Sequence, residues 1–172
     1  PKTTKHIAAV LDKLAPYVCK DSVPYAALHL SQQTETFYLS RDRKGVDWVV
    51  EPFWQSVRGW TQGLMQAHIS PDYIYDKRFK LENLKRYKVL LLPMSIALSD
   101  AQCRTILCFA ERGGVVVLGP GTAAADEWGE KRAANPLEKA LGFRFRSVPS
   151  HAASERVLLT LIKKSGQMVG SF

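Results

Sequence analysis

The chain has 172 residues, of which 46% are hydrophobic and 10% aromatic, so it can bury the core of one domain. Its net charge is +8, but apart from a cluster at 77–88 the cations are dispersed. No zinc-finger spacing, aromatic RNA-binding signature or glycine–lysine phosphate loop accompanies them, which argues against a specific nucleic-acid partner. No apolar run approaches the roughly 20 residues that span a bilayer, so no membrane partner is expected.

The first predicted element is a helix over about 4–19, because Ile7, Val10, Leu11 and Leu14 recur at helical spacing. Pro16 is expected to bend or end it. Nothing earlier in the sequence explains what its apolar side packs against. We therefore interpret residues 1–22 as a linker helix from an upstream domain, 23–150 as the main α/β domain and 151–172 as a C-terminal extension.

A strand is predicted at 25–30, followed by a polar connection of a length that often carries function or packs against a partner. Pro52 then opens a helix whose broad aromatic stripe is typical of a buried face. The stripe consists of Phe53, Val57, Trp60, Leu64 and His68, widened by Trp54 and Met65. A short strand at 73–75 and a helical turn at 81–87 follow.

Residues 87–121 contain the clearest pattern of the chain. The apolar run at 88–93 predicts a strand buried on both faces. Ser99 and Gln102 have the spacing of a capping box, and Gly113 stands where a helix would end. A second buried strand is predicted at 115–118. A strand, a capped helix and a strand indicate a βαβ unit with parallel strands.

A loop predicted to lie over the carboxyl ends of the strands follows, and Asn135 is expected to cap a short helix that Gly142 ends. Residues 143–148 alternate between apolar and charged, which is typical of a half-exposed edge strand. The order of elements predicts a three-layer α/β/α sandwich around a mostly parallel, doubly wound sheet.

Several of these motifs resemble those of one protein family. They are Arg58-Gly59-Trp60 with Leu64, the run from Tyr87 to Pro93, Leu98-Ser99-Asp100, the run from Glu111 to Val117, and the run from Pro136 to Phe143. Together they resemble the class I glutamine-amidotransferase-like fold. Within that fold they are similar to the trimerisation domain that follows the catalytic barrel in bacterial β-galactosidases of glycoside hydrolase family forty-two.

The resemblance implies a non-catalytic structural or oligomerisation domain that supplies subunit or domain contacts near an active site. The implied partners are an upstream catalytic barrel, other copies of the chain, and carbohydrate at the interface. No cofactor or metal is implied. The alternative is a stand-alone hydrolase or a small-ligand-binding module on the same fold.

Enzymes of the amidotransferase-like fold carry a cysteine on a tight elbow after a strand, where backbone N–H groups stabilise a thiolate and an oxyanion. The matching segment here, 119–122, contains no cysteine or serine. Cys103 and Cys108 fall within a predicted helix, Cys19 in the linker, and His29 in a buried strand where a structural role is expected. No catalytic residue is therefore predicted, and Thr122 is only a weak alternative.

Contacts are instead predicted at the carboxyl edge of the sheet, where loops of a doubly wound fold meet ligands or partners. The candidates that follow predicted strands are Ser31, Gln32, Met94, Ser95, Gly121 and Thr122. Arg41, Trp48 and Trp54, in and after the long connection, are expected beside that edge. A surface patch formed by Phe37, Tyr38, Trp48 and Trp54 would favour assembly or carbohydrate contact.

Overall fold

The computed structural model describes residues 2–17, 23–39, 51–144, 160–162 and 168–171. The helices are α1 (Lys2–Leu14), α2 (Glu51–Gln66), α3 (Leu81–Leu84), α4 (Asp100–Glu111) and α5 (Pro136–Leu141). The strands are β1 (Ala26–Leu30), β2 (Asp72–Tyr75), β3 (Val89–Leu92), β4 (Val115–Leu118), β5 (Thr160–Ile162) and β6 (Met168–Ser171). Among the described residues none of the helices is long and apolar enough to cross a membrane.

In the described part of the chain the sheet runs in the order β2-β1-β3-β4-β5-β6. The first four strands pair in parallel, whereas β5 pairs with β4, and β6 with β5, in the antiparallel sense. The parallel part therefore has the doubly wound order in which consecutive strands wind outward on both sides of β1. Residues 151–172, interpreted from sequence as an extension, supply β5 and β6 to this sheet.

Helices cover both faces of the sheet. On one face, Phe53 and Val57 of α2 pack against alternate residues of the strands, such as Leu28 and Leu91. On the other face, α3, α4 and α5 pack against the intervening strand residues; Ile106 of α4 is fully buried there. This arrangement confirms the predicted α/β class with three layers.

The predicted helix ends of the βαβ unit are confirmed. The Ser99 hydroxyl accepts from the Gln102 N–H at 3.2 Å, and the Gln102 side chain accepts from the Ser99 N–H at 2.7 Å. Gly113, just beyond α4, has φ 91°, a conformation that glycine adopts without strain. The side chain of Asn135 caps α5, as expected.

The predicted stripe of α2 is too broad. Phe53 and Val57 are buried and Trp60 and Leu64 half-buried, but Trp54 and Met65 are 36% and 63% exposed. The prediction that Trp54 and Met65 widen the core face was wrong. Only a narrow stripe of α2, which includes Phe53 and Val57, packs against the sheet. His68 lies beyond the end of α2 in an exposed turn.

The remaining segments differ from the predictions at their ends. α1 stops at Leu14, before a 3₁₀ turn that contains Pro16, and its apolar side is exposed. The polar connection after β1 begins with a helical turn at Thr34–Tyr38, which sequence reasoning missed. Of the edge strand predicted at 143–148, Phe143 and Arg144 belong to no strand, and 145–148 lie outside the described residues.

Candidate functional site at the carboxyl edge of the sheet

The carboxyl ends of β1 and β3 are joined by buried hydroxyl groups. The Ser31 and Thr34 hydroxyls are 2.8 Å apart, and Thr34 accepts from the backbone N–H of Ala97 at 3.0 Å. The Ser31 hydroxyl also lies 3.3 Å from the Ala97 carbonyl. Neither Ser31 nor Thr34 is exposed to solvent. Their polar atoms therefore fix the loops to one another.

A second buried network starts at His29, the residue before the last in β1. Its Nδ1 lies 2.8 Å from the Ser95 hydroxyl, and its Nε2 lies 3.1 Å from Oδ1 of Asp76. Asp76 also accepts from Gln102 Nε2 at 2.9 Å and from the Gln33 N–H at 3.0 Å. The network thereby connects the ends of β1, β2 and β3 with the first turn of α4.

The pKa of Asp76 indicates which groups of this network donate hydrogen bonds and which accept them. Burial by itself raises the pKa of Asp76, but the hydrogen bond and charge of His29, with the hydrogen bonds from Gln33 and Gln102, outweigh it. The net pKa therefore lies below the ordinary value, and Asp76 is a carboxylate that can only accept. His29 consequently donates to Asp76 through Nε2, and its Nδ1 is hydrogen-bonded to the Ser95 hydroxyl.

A serine, a histidine and an aspartate in hydrogen-bonded sequence are also the groups of a hydrolytic triad. In a triad the serine oxygen must reach a substrate. Here Ser95 is 0% exposed and His29 is 1% exposed, with the ring of Phe79 packed 4.4 Å from the imidazole. The network therefore holds the loops in position, and a substrate carbonyl cannot reach the buried Ser95 hydroxyl.

The segment that matches the nucleophile elbow is closed in a similar way. Thr122 is fully buried, and its hydroxyl donates to the Gly119 carbonyl at 2.7 Å. Gly119 lies against the carbonyl groups of Leu92 and Pro93, where a side chain has no room. Asn135 donates to the Thr122 carbonyl at 2.7 Å and so attaches the elbow to α5.

The remaining predicted contact residues divide by exposure. Gln32 is exposed, Trp54 is exposed at the start of α2, and Met94 and Gly121 are half-buried. The structure thus brings the six loop candidates to one edge, with Ser31, Ser95 and Thr122 facing inward. Arg41 and Trp48 lie outside the described residues. Contact with a ligand or partner stays a prediction for all nine.

Several aromatic side chains are exposed near this edge. Phe37 and Trp128 pack with their ring centroids 5.5 Å apart, and Trp128 is 62% exposed. Trp54 donates to Glu35 at 3.2 Å and forms one wall of a groove of about 760 Å³ between α2 and β2. Sequence reasoning named Phe37 and Trp54 but passed over Trp128, whose only signal was a tryptophan in a polar loop.

The cysteines have no reactive setting among the described residues. Cys103 and Cys108 are free thiols, and burial raises the pKa of Cys103 to about 11, so that it stays protonated at neutral pH. Cys19 lies outside the described residues. In the described ranges no group of three or more histidine, cysteine or carboxylate side chains is arranged to hold a metal ion.

Comparison with known proteins gives a family and a fold. The model of the β-galactosidase trimerisation domain matches residues 24–168. No curated protein matches the chain. A β-galactosidase from Bifidobacterium adolescentis is 24% identical over 74% of this chain and 59% of its own, with a TM-score of 0.60.

Two structures of Gan42B, a GH42 β-galactosidase from G. stearothermophilus, are also similar. Each is 16% identical to this chain and covers 77% of it, with TM-scores of 0.58 for a catalytic mutant and 0.57 for the other structure. The chain spans 59% of the Bifidobacterium protein and 19% of Gan42B. At these identities the likeness concerns the fold.

Proposed function

The chain belongs to the β-galactosidase trimerisation-domain family, and from this membership we propose that it is a non-catalytic assembly domain of a glycoside hydrolase. In this role it joins copies of a β-galactosidase into trimers and supplies contacts near their active sites. The activity of the parent enzyme is part of the proposal, since this chain spans a minor share of Gan42B.

One observation carries the proposal beyond the family match. The hydroxyl groups at the carboxyl edge, where this fold would hold a nucleophile, are turned inward and occupied by the protein itself, as Ser95 and Thr122 illustrate. The surface next to them presents large apolar groups such as Trp54 and Trp128. Such groups favour burial against another protein surface by about 25 cal/mol per Å².

A catalytic barrel is the second partner that we propose. Ile7, Val10, Leu11 and Leu14 of α1 are each at least two-fifths exposed on one side of the helix. An apolar helix side of this kind gains stability by packing on another domain. In this proposal residues 1–22 connect to the barrel, 23–150 form the assembly domain, and 151–172 extend it.

Carbohydrate at the interface is the third element of the proposal. The exposed members of the predicted contact set, Gln32 and Trp54, supply an amide and an aromatic face, which are groups that bind sugars. Both lie at the carboxyl edge, beside the segment that carries Phe37. They would line the rim of a neighbouring active site and leave the chemistry to the barrel.

The alternative is a stand-alone hydrolase on the amidotransferase-like fold, and an activity assay separates the two. The purified 172-residue chain should hydrolyse neither glutamine, nor a nitrophenyl ester, nor a nitrophenyl galactoside above the buffer rate. Turnover that persists through purification and disappears in Thr122→Val, while the variant keeps its melting temperature, would establish the hydrolase instead. Valine matches threonine in shape and removes only the hydroxyl.

A further inference from the structure

The helical turn at 32–38, which follows β1, is capped by two different parts of the chain. The Ser31 hydroxyl accepts from the Thr34 N–H at 3.1 Å, as the N-cap residue of a helix does. The Gln33 N–H donates to Oδ2 of Asp76 at 3.0 Å, and Asp76 directly follows β2. A carboxylate from a distant segment therefore holds the start of this turn.

The two carboxylate oxygens of Asp76 bond to different elements. Oδ1 accepts from Gln102 Nε2 at 2.9 Å and from His29 Nε2 at 3.1 Å, so it joins α4 to β1. Oδ2 accepts from the Gln33 N–H and so reaches the turn. A neutral amide in place of the carboxylate can keep both bonds of Oδ1, but its NH₂ group would then face the Gln33 N–H, and two donors cannot bond. The bond to the turn therefore depends on the ionised carboxylate.

The other end of the turn supports an exposed aromatic loop. The Phe37 ring packs on the ring of Trp128, and Gly129 lies so close to the Phe37 backbone that a Cβ would come within 2.7 Å. The Asp126 carboxylate accepts from the Trp128 N–H at 3.0 Å, so the loop at 126–130 is closed by its own hydrogen bonds. A shift of Phe37 must therefore either move this loop or open a gap beneath Trp128.

Gln33 is the point at which this support is released most readily. Its side-chain oxygen is buried and has no hydrogen-bond partner within the described part of the chain. A buried acceptor without a partner is unfavourable, and a displaced Gln33 brings that oxygen to water. The bond from its backbone N–H to Asp76 therefore opposes a tendency of the residue to move outward.

We propose that Asp76 is a positioning residue for the exposed Trp128 loop: its carboxylate holds the 32–38 turn, and the turn holds the loop through Phe37. Each step is a hydrogen bond or a packing contact between neighbours, which is how a buried group can affect a surface at a distance. This coupling is a property of the single chain, and it exists whether or not the chain assembles.

Hydrogen exchange measured by mass spectrometry on the native protein that carries this chain tests the first step. Asp76→Asn keeps the size of the side chain and removes its charge. At neutral pH the amides at 32–38 should exchange at least about tenfold faster than in the wild type, as expected when a hydrogen bond to a charged group is lost. Val116→Ala, which trims a fully buried residue of β4, is the control for a general loss of stability. It should accelerate exchange at 32–38 no more than in the other segments.

Phe37→Ala tests the second step, and its exposed site makes it informative even if Asp76→Asn folds poorly. Exchange at 126–130 should become faster in Phe37→Ala and in Asp76→Asn. In the double variant Asp76→Asn should add nothing further at 126–130, because the contact that transmits its effect is already absent.

Two sets of results overturn the proposal. If Asp76→Asn accelerates exchange at 32–38 no more than Val116→Ala does, the carboxylate does not hold the turn. If exchange at 126–130 is unchanged in Phe37→Ala or in Asp76→Asn, or if their effects there add, the turn does not hold the Trp128 loop.

Discussion

A histidine within a buried strand requires hydrogen-bond partners, and His29 has them in the segments that follow two neighbouring strands. Ser95 follows β3, and Asp76 follows β2, so both lie next to β1 at the carboxyl edge. An unpaired polar atom in this position would cost about 1–3 kcal/mol. The network therefore explains how an otherwise apolar strand tolerates a histidine.

Asp76→Asn should destabilise the protein at neutral pH and make its stability less sensitive to acid. The folded-state pKa of Asp76 lies below its ordinary value, so its charge stabilises the fold above about pH 4, and this contribution is lost as the pH falls through the folded-state pKa. Urea unfolding should give a loss of about 1–3 kcal/mol at pH 7 that shrinks toward pH 3.

Asp12→Asn on the exposed side of α1 is the matched control for this comparison, and it should leave the free energy of unfolding nearly unchanged at both pH values. Parallel losses for Asp76→Asn and wild type across the whole pH range would show that the carboxylate does not stabilise the fold through its charge.

Sequence reasoning anticipated a structural role for His29 but neither of its partners. The partners are 66 and 47 residues away, and their proximity follows only from the order of the strands. For the same reason, the sequence did not predict that the hydroxyl groups of Ser31, Ser95 and Thr122 are buried. Their placement at one edge follows from parallel topology, whereas the inward direction of each hydroxyl depends on the neighbouring loops.

The helix ends were predicted best, because the residues that cap a helix lie close together in the sequence. The capping box of α4 and the Asn135 cap of α5 each depend on residues two or three positions apart. The exposed side of α2 was predicted poorly, because the spacing of Trp54 and Met65 is compatible with both a core and a surface groove. Apolar periodicity indicates a helix and does not say what covers it.

Gly119→Ala should test how closely the end of β4 approaches β3. The Gly119 N–H donates to the Leu92 carbonyl at 2.8 Å, and an added Cβ would collide with the carbonyl of Pro93. Separating the two segments should lower the free energy of unfolding by about 1–3 kcal/mol, as measured in urea.

Gly63→Ala in α2 supplies the comparison, because the space around Gly63 is open. Alanine favours a helix over glycine by about 1 kcal/mol, so this variant should be unchanged or more stable. If the two variants lose the same stability, the close approach at Gly119 is not the cause.

At the scale of the whole molecule, the alternation of buried strands and capped helices was sufficient to predict a parallel three-layer domain. The antiparallel strands β5 and β6 were not predicted, because β5 has only three residues and β6 contains a glycine and a serine, so neither forms a continuous apolar run like those of β3 and β4. For the surface that we propose for assembly, the sequence predicted only its place at the carboxyl edge of the sheet. Its groove and its projecting Trp128 arise from elements that meet only in the folded protein.

The mass of the native protein carrying this chain tests the central claim most directly. Sedimentation equilibrium at micromolar concentration and moderate salt should give three times the mass of one chain, because an assembly domain of this family is proposed to join three copies. Dilution should then reveal single chains as the trimer dissociates. A mass of one chain throughout the concentration range, from a folded and active enzyme, would contradict the account.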